Sequence, residues 1–174
     1  MPLYPVTDID IPAIADFVNA TYRGDSSRMG WTTEADYLDG QRTDPALLRA
    51  DLAAHPGAML LALRDAQDGP LLGCVWLEPV DGEVWYLGML TIRPDLQARR
   101  LGRTLLCGAE AAAKERGARR IRMTVVNIRD TLIAWYLRRG YKLTGETKPF
   151  PYGDSRFGEP RRDDLIFVVL EKQL

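Results

Sequence analysis

The clearest chemical signal in the chain runs Leu90-Thr91-Ile92-Arg93-Pro94-Asp95-Leu96-Gln97-Ala98-Arg99-Arg100-Leu101-Gly102-Arg103-Thr104-Leu105-Leu106. An apolar strand ends, a turn follows, and a helix opens on a basic loop that contains a glycine. The first turn of a helix carries backbone N–H groups without intrahelical partners. Those donors and the helix dipole favour an anion there, above all a phosphate. Gly102 would let the backbone approach such a ligand, and Arg99, Arg100 and Arg103 would add charge-assisted contacts. A solvated basic turn before an ordinary amphipathic helix is the plainer reading of the same residues. The segment is neither a P-loop nor a dinucleotide fingerprint, because it has one glycine and no Gly-x-x-x-x-Gly-Lys pattern.

The elements that must position this segment can be read from periodicity. Ile11, Ile14, Ala15, Phe17 and Val18 recur on a helical period, with Thr7 or Asp8 as the candidate cap. Residues 23–42 are polar and rich in turn formers. Pro45 to Ala54 reads as a second helix, with Asp44 before the proline. Strands are expected at 58–64, 71–78 and 83–92, joined by two short turns into an antiparallel meander. Gly88 would mark either a bulge or close packing in the third of these. A helix over 101–116 follows, ended by Gly117, then a strand at 119–126. A helix at 130–139, capped by Asp130 and ended by Gly140, a strand at 141–147, a polar loop at 148–163 and a strand at 165–171 complete the chain. The unit from 83 to 126 should be a parallel crossover. The expected fold is one α/β domain over residues 1–174, a mixed central sheet of about six to seven strands flanked by about four helices.

Composition bounds the function class. With 46% apolar and 27% charged residues among 174, the chain is neither disordered nor a disulfide scaffold. Its net charge of −1 gives no hint of nucleic acid or membrane, yet it conceals an asymmetry. Residues 1–92 are net −9, residues 93–122 net +6, and residues 123–174 net +2. The basic stretch coincides with the candidate anion site, and the acidic half would supply a face for a cationic ligand. Cys74 and Cys107 sit in apolar segments with no metal spacing, so two buried free thiols are expected. The N-terminus does not read as a signal peptide, and no apolar run approaches a membrane span. A cytoplasmic protein is expected. Strand edges near the C-terminus would favour a homodimer.

Two blocks together resemble the GNAT family of N-acetyltransferases. The family signature is Gln/Arg-x-x-Gly-x-Gly/Ala after a Leu-x-Val strand end. Here Leu90-Thr91-Ile92 is followed by Gln97-Ala98-Arg99-Arg100-Leu101-Gly102, with Arg100 where the first glycine is usual. Trp135-Tyr136-Leu137-Arg138-Arg139-Gly140-Tyr141 is similar to the family's Leu-Tyr-x-x-x-Gly-Phe. The asparagine often found seven residues before the tyrosine is replaced by Arg129, and Asn127 lies two residues earlier.

The resemblance implies an acetyl-CoA-dependent transferase in which a primary amine of a small molecule or peptide attacks the thioester directly. Acetyl-CoA would lie in a splay between strands 83–92 and 119–126. Main-chain groups of Leu90 and Ile92 would meet the pantetheine arm, residues 98–104 (Ala98, Arg99, Arg100, Leu101, Gly102, Arg103, Thr104) would cradle the pyrophosphate, and Thr91 and Gln97 would also belong to the donor site. Asn127, Arg129 and Tyr136 would complete the donor site, with Tyr136 as the acid for the leaving thiolate. The position used as base by several relatives is Tyr86 here, and an ordinary tyrosine is a poor base. Glu83, Glu34 and Asp36 are alternatives acting through water. His55, the only histidine, reads as a partner of a helix C-terminus. Tyr22, Trp31, Glu34, Tyr86 and Tyr152 would form the acceptor site, with Phe157 beside Trp31 and Tyr152. Glu34 would attract an ammonium; alternatively Arg23, Arg42 and Arg129 would hold a substrate carboxylate. No metal is implied. A non-catalytic acyl-CoA sensor on the same fold is the competing reading. A nucleic-acid module is disfavoured by the acidic first half.

Overall fold

A computed structural model describes residues 1–97 and 99–174. The element order is β1 (Leu3–Pro5), α1 (Ile11–Tyr22), β2 (Leu38–Asp39), α2 (Pro45–Ala54), β3 (Met59–Arg64), β4 (Leu71–Asp81), β5 (Val84–Ile92), α3 (Leu101–Glu115), β6 (Arg120–Val126), α4 (Asp130–Leu137), β7 (Lys142–Pro149), β8 (Glu159–Pro160) and β9 (Ile166–Gln173). Seven strands form one sheet in the order β1-β3-β4-β5-β6-β9-β7, and β2 and β8 form a separate ribbon. This is the mixed α/β architecture expected from the sequence, with the short strands β1, β2 and β8 added. The ribbon ties the polar segment 23–42 to the loop 148–163. Such two-residue strands are too short to leave a period in the sequence.

Period-two alternation sorts the sheet residues between two cores. Leu61, Leu63, Val75 and Leu77 face the side covered by α3 and α4, where Leu105, Leu106, Ala109, Ala113 and Tyr136 pack. Leu60, Ala62, Cys74 and Trp76 face the other side, against Ile11, Ile14, Val18 and Tyr22 of α1 and Leu48 of α2. Helix α2 starts as expected, with the Asp44 carboxylate accepting the Leu47 N–H at 2.9 Å ahead of Pro45. Helix α4 differs: its cap position is Arg129, and Asp130 is its first residue, making no side-chain cap bond. The thiols also differ from expectation, because Cys74 is buried but Cys107 is exposed on α3.

Strand β5 changes parity partway. Trp85 and Leu87 face α3, but beyond Met89 that face belongs to Leu90 and Ile92, while Met89 packs on the α1 side. The pairing with β4 shifts between Cys74 and Trp76, opposite Thr91 and Gly88. This is a β-bulge, and Met89 absorbs it with φ = 49°. Gly88 leaves room for the Tyr86 ring: a Cβ there would stand 2.7 Å from Cε1 of Tyr86, and the ring would have to shift. The bulge matters because β5 and β6, the parallel pair, are in register only at Val84–Tyr86 against Arg120–Arg122. Beyond that point the two strands part, while β6 stays paired to β9 along its whole length.

Candidate active site

The parting of β5 and β6 opens a cleft of about 610 Å³, a size suited to a small-molecule ligand. Leu87, Gly88, Met89, Leu90 and Ile92 line one wall and Met123, Thr124, Val125 and Val126 the other. At one mouth stands the start of α3, with Gly102 and Arg103 in the wall. Arg100 precedes them in the left-handed region, φ = 62° and ψ = 5°. Arg139 joins them, its guanidinium 3.5 Å from the Trp135 ring centroid. Burial, helped by the neighbouring charges of Arg138 and Arg103, lowers the Arg139 pKa. Three crowded guanidinium groups beside the first turn of a fifteen-residue helix form a site for an anion. Residues 18–141 match the Acetyltransferase (GNAT) family.

The chain belongs to the GNAT family.

The matched span is well over half of the chain, and with it comes the general activity, acyl-CoA-dependent acetyl transfer to nitrogen. Solved structures agree in fold. A ribosomal-protein-alanine N-acetyltransferase from Brucella melitensis is 17% identical with a TM-score of 0.71, covering 100% of both chains. The ribosomal-protein-S18-alanine N-acetyltransferase from Escherichia coli is 15% identical with a TM-score of 0.67, over 98% of this chain and 92% of that one. A nourseothricin acetyltransferase is 21% identical with a TM-score of 0.56, over 68% of this chain and 66% of that one. No curated protein matches in sequence.

In this GNAT chain the cleft gathers most of the expected donor residues. Leu90, Ile92, Gln97, Arg100, Gly102, Arg103, Arg129 and Tyr136 all line it. Gln97 also holds a loop in place: it donates to Oγ1 of Thr32 at 2.7 Å and accepts the Trp31 N–H at 2.8 Å. Other expected donor residues sit elsewhere. Thr91 is buried and donates to the Met89 carbonyl at 2.9 Å, bracing the bulge. Leu101, the first residue of α3, packs toward the core, and Thr104 and Arg99 lie outside the cleft wall. Asn127 clasps the end of β6 to β9, donating to the Asp164 carbonyl and accepting the Ile166 N–H, each at 3.1 Å. Ala98 lies outside the described residues.

On the acceptor side, Tyr22, Trp31, Glu34 and Tyr86 line the cleft. Tyr152 does not; its hydroxyl accepts the Leu165 N–H at 2.8 Å and serves the loop. The Tyr22 hydroxyl donates to the Leu90 carbonyl at 2.7 Å, so α1 is fastened to the bulge. Tyr136 is buried in the cleft wall. Burial raises its phenol pKa, so the proton stays on at neutral pH.

The three carboxylates expected as alternatives for the base are all corrected by the geometry; Asp36 is exposed outside the cleft wall and pairs with Arg28. Glu83 is exposed at the opposite end of β5, outside the cleft, and pairs with Arg119 at 2.8 Å. Glu34 is 2% exposed and is held by Arg23, Arg42 and Arg129. Burial alone would raise its pKa, but Arg42, Arg129 and Arg23 together outweigh this and lower it. A carboxylate so engaged neither takes a proton readily nor has lone pairs left for an ammonium. Sequence reasoning missed Glu78, which also lines the cleft. It stands opposite Tyr86 on β4 and accepts from Nε1 of Trp76 at 3.0 Å.

Proposed function

We propose that the chain transfers the acetyl group of acetyl-CoA to a primary amine by direct attack in a ternary complex. The observation that carries this reading is the buried Tyr136 phenol in the wall of the cleft between the parted strands β5 and β6. The α3 mouth, with Arg100, Arg103 and Arg139, receives the donor's phosphates, and the parted strands receive its arm. The neutral amine attacks the thioester carbonyl carbon, and a C–N bond forms. A backbone N–H near Leu90 stabilises the developing oxyanion. As the C–S bond breaks, the sulfur takes the proton of Tyr136, while the amine's surplus proton leaves through water toward a carboxylate.

Thiol release from acetyl-CoA across a library of amines tests the proposal, and at least one amine should give turnover. Tyr136→Phe should lower kcat by about 10²-fold or more while leaving CoA affinity unchanged. A variant with full kcat would remove Tyr136 from the chemistry. Silence of the native chain across the whole library, with CoA still bound, would favour a sensor.

A further inference from the structure

The acceptor side of the cleft carries more positive charge than its own residues balance. Glu34 receives three guanidinium groups: Arg23 and Arg42 on Oε2, and Arg129 on Oε1 at 3.1 Å. Arg23 and Arg129 are nearly as buried as Glu34, and none of the three arginines has a second carboxylate partner among the described residues. Two positive charges are therefore left uncompensated in a largely buried place, which is costly unless an anion joins them. Arg23 lies outside the cleft wall, so the free capacity facing the cleft belongs to Arg42 and Arg129. Both lie against one ring: their Cζ atoms are 4.5 and 5.9 Å from the centroid of Tyr22. The hydroxyl of that ring bonds the Leu90 carbonyl. One tyrosine thus joins the arginine pair to the stretch of β5 where the thioester would lie.

We infer that the acceptor is an amine bearing a carboxylate, of the amino-acid type, and that Arg42 and Arg129 receive the carboxylate. This rests on the acetyl-transfer reading above and adds its substrate class. Planar guanidinium forks match a carboxylate, which an ammonium group does not. Glu34 is the brace that holds the two forks toward the cleft, and it is not a receptor for the amine. The donor's phosphates have their own cations at the α3 mouth, so they do not account for this pair.

The test uses the native chain with α-amino acids, their carboxamides and the corresponding decarboxylated amines at saturating acetyl-CoA. The acids should be favoured in kcat/KM by roughly 10- to 100-fold, the size of a charge-assisted hydrogen-bonded pair. Arg42→Lys keeps the charge and loses the fork; it should raise the acceptor KM and leave the acetyl-CoA KM unchanged. Carboxamides or simple amines turned over as well as the acids would overturn the inference. So would an Arg42→Lys effect confined to the acetyl-CoA KM. If nothing is turned over, N-acetyl amino acids and their amides are compared by thermal shift with CoA present. Stabilisation by the carboxylates alone, lost in Arg42→Lys, upholds the carboxylate site while defeating the transfer reading. No stabilisation by any carboxylate defeats the inference itself.

Discussion

With Glu34 engaged by arginines, Glu78 is the remaining carboxylate in the cleft wall among the described residues. Cross-strand partners share a face of a sheet, so Glu78 and Tyr86 point the same way. Glu78 is therefore expected to take the amine's proton, directly or through water. Glu78→Gln should lower kcat/KM by about 10²- to 10⁴-fold, with CoA affinity unchanged. A full rate in that variant would leave the deprotonation to solvent. Glu34 predicts a different signature. Removing its charge leaves three guanidinium groups facing one another, a loss of about 3–5 kcal/mol. Its folded pKa is depressed, so its stabilisation is complete above the ordinary value of 4.5 and is lost as the pH falls through the lower folded value. The melting-temperature gap between the native chain and Glu34→Gln should stay constant above about pH 5.5 and close only below 4.5; a gap that closes near pH 7 would contradict the assignment. Tyr136, Tyr22, Trp31 and Tyr86 were legible in the sequence because motif and residue type single them out. The partners of Glu34 were not, since Arg129 lies 95 residues away, and Glu78 was hidden because its face depends on strand register.

Among the elements, helices α1 to α4 and strands β3 to β6 were legible because each is long enough to show its period. Of the two expectations for Gly88, a bulge or close packing, close packing holds at the glycine itself, and Met89 beside it takes the positive φ of the bulge. The glycine leaves room for the Tyr86 ring, and Thr91 and Tyr22 hold the bulge from either side. A comparable strain sits at the start of α3. Arg100 occupies the left-handed region, where a non-glycine residue costs roughly 1–2 kcal/mol, at the position where the signature has a glycine. The chain thus keeps the backbone turn of the motif and adds a charge at its mouth. Arg100→Gly separates the two effects. It should stabilise the fold by at most about 1 kcal/mol, because glycine's extra unfolded-state freedom offsets part of the relief. It should also raise the acetyl-CoA KM severalfold and leave the acceptor KM alone. A variant with a lower melting temperature and an unchanged donor KM would mean that Arg100 is held by packing and does not face the donor.

Across the whole molecule, the charge asymmetry in the sequence resolves into two separate uses. Of the basic stretch 93–122, Arg100 and Arg103 stand at the cleft, but Arg119, Arg120 and Arg122 pair with Glu83, Glu171 and Glu146 at the far end of the sheet. The acidic half is likewise spent on pairs such as Asp8–Arg49 and Asp10–Arg64, away from the cleft. What faces the cleft is cationic at both ends, with Arg100, Arg103 and Arg139 at one and Arg42 and Arg129 at the other. The stability of the molecule should therefore be tied to an anionic ligand. A ligand at about 100 times its Kd adds about 2.7 kcal/mol by mass action. For a chain of 174 residues this amounts to a rise of roughly 5–10 °C in Tm. Acetyl-CoA should give such a shift, and a short acetyl thioester without phosphates should give little at the same concentration. Because the phosphate contacts lie at an open mouth, added salt should reduce the acetyl-CoA shift, as screening shortens to about 3 Å at 1 M. Equal shifts from the two thioesters, or a shift indifferent to salt, would place the binding energy in the apolar walls of the splay and leave the arginines at the α3 mouth as surface charge.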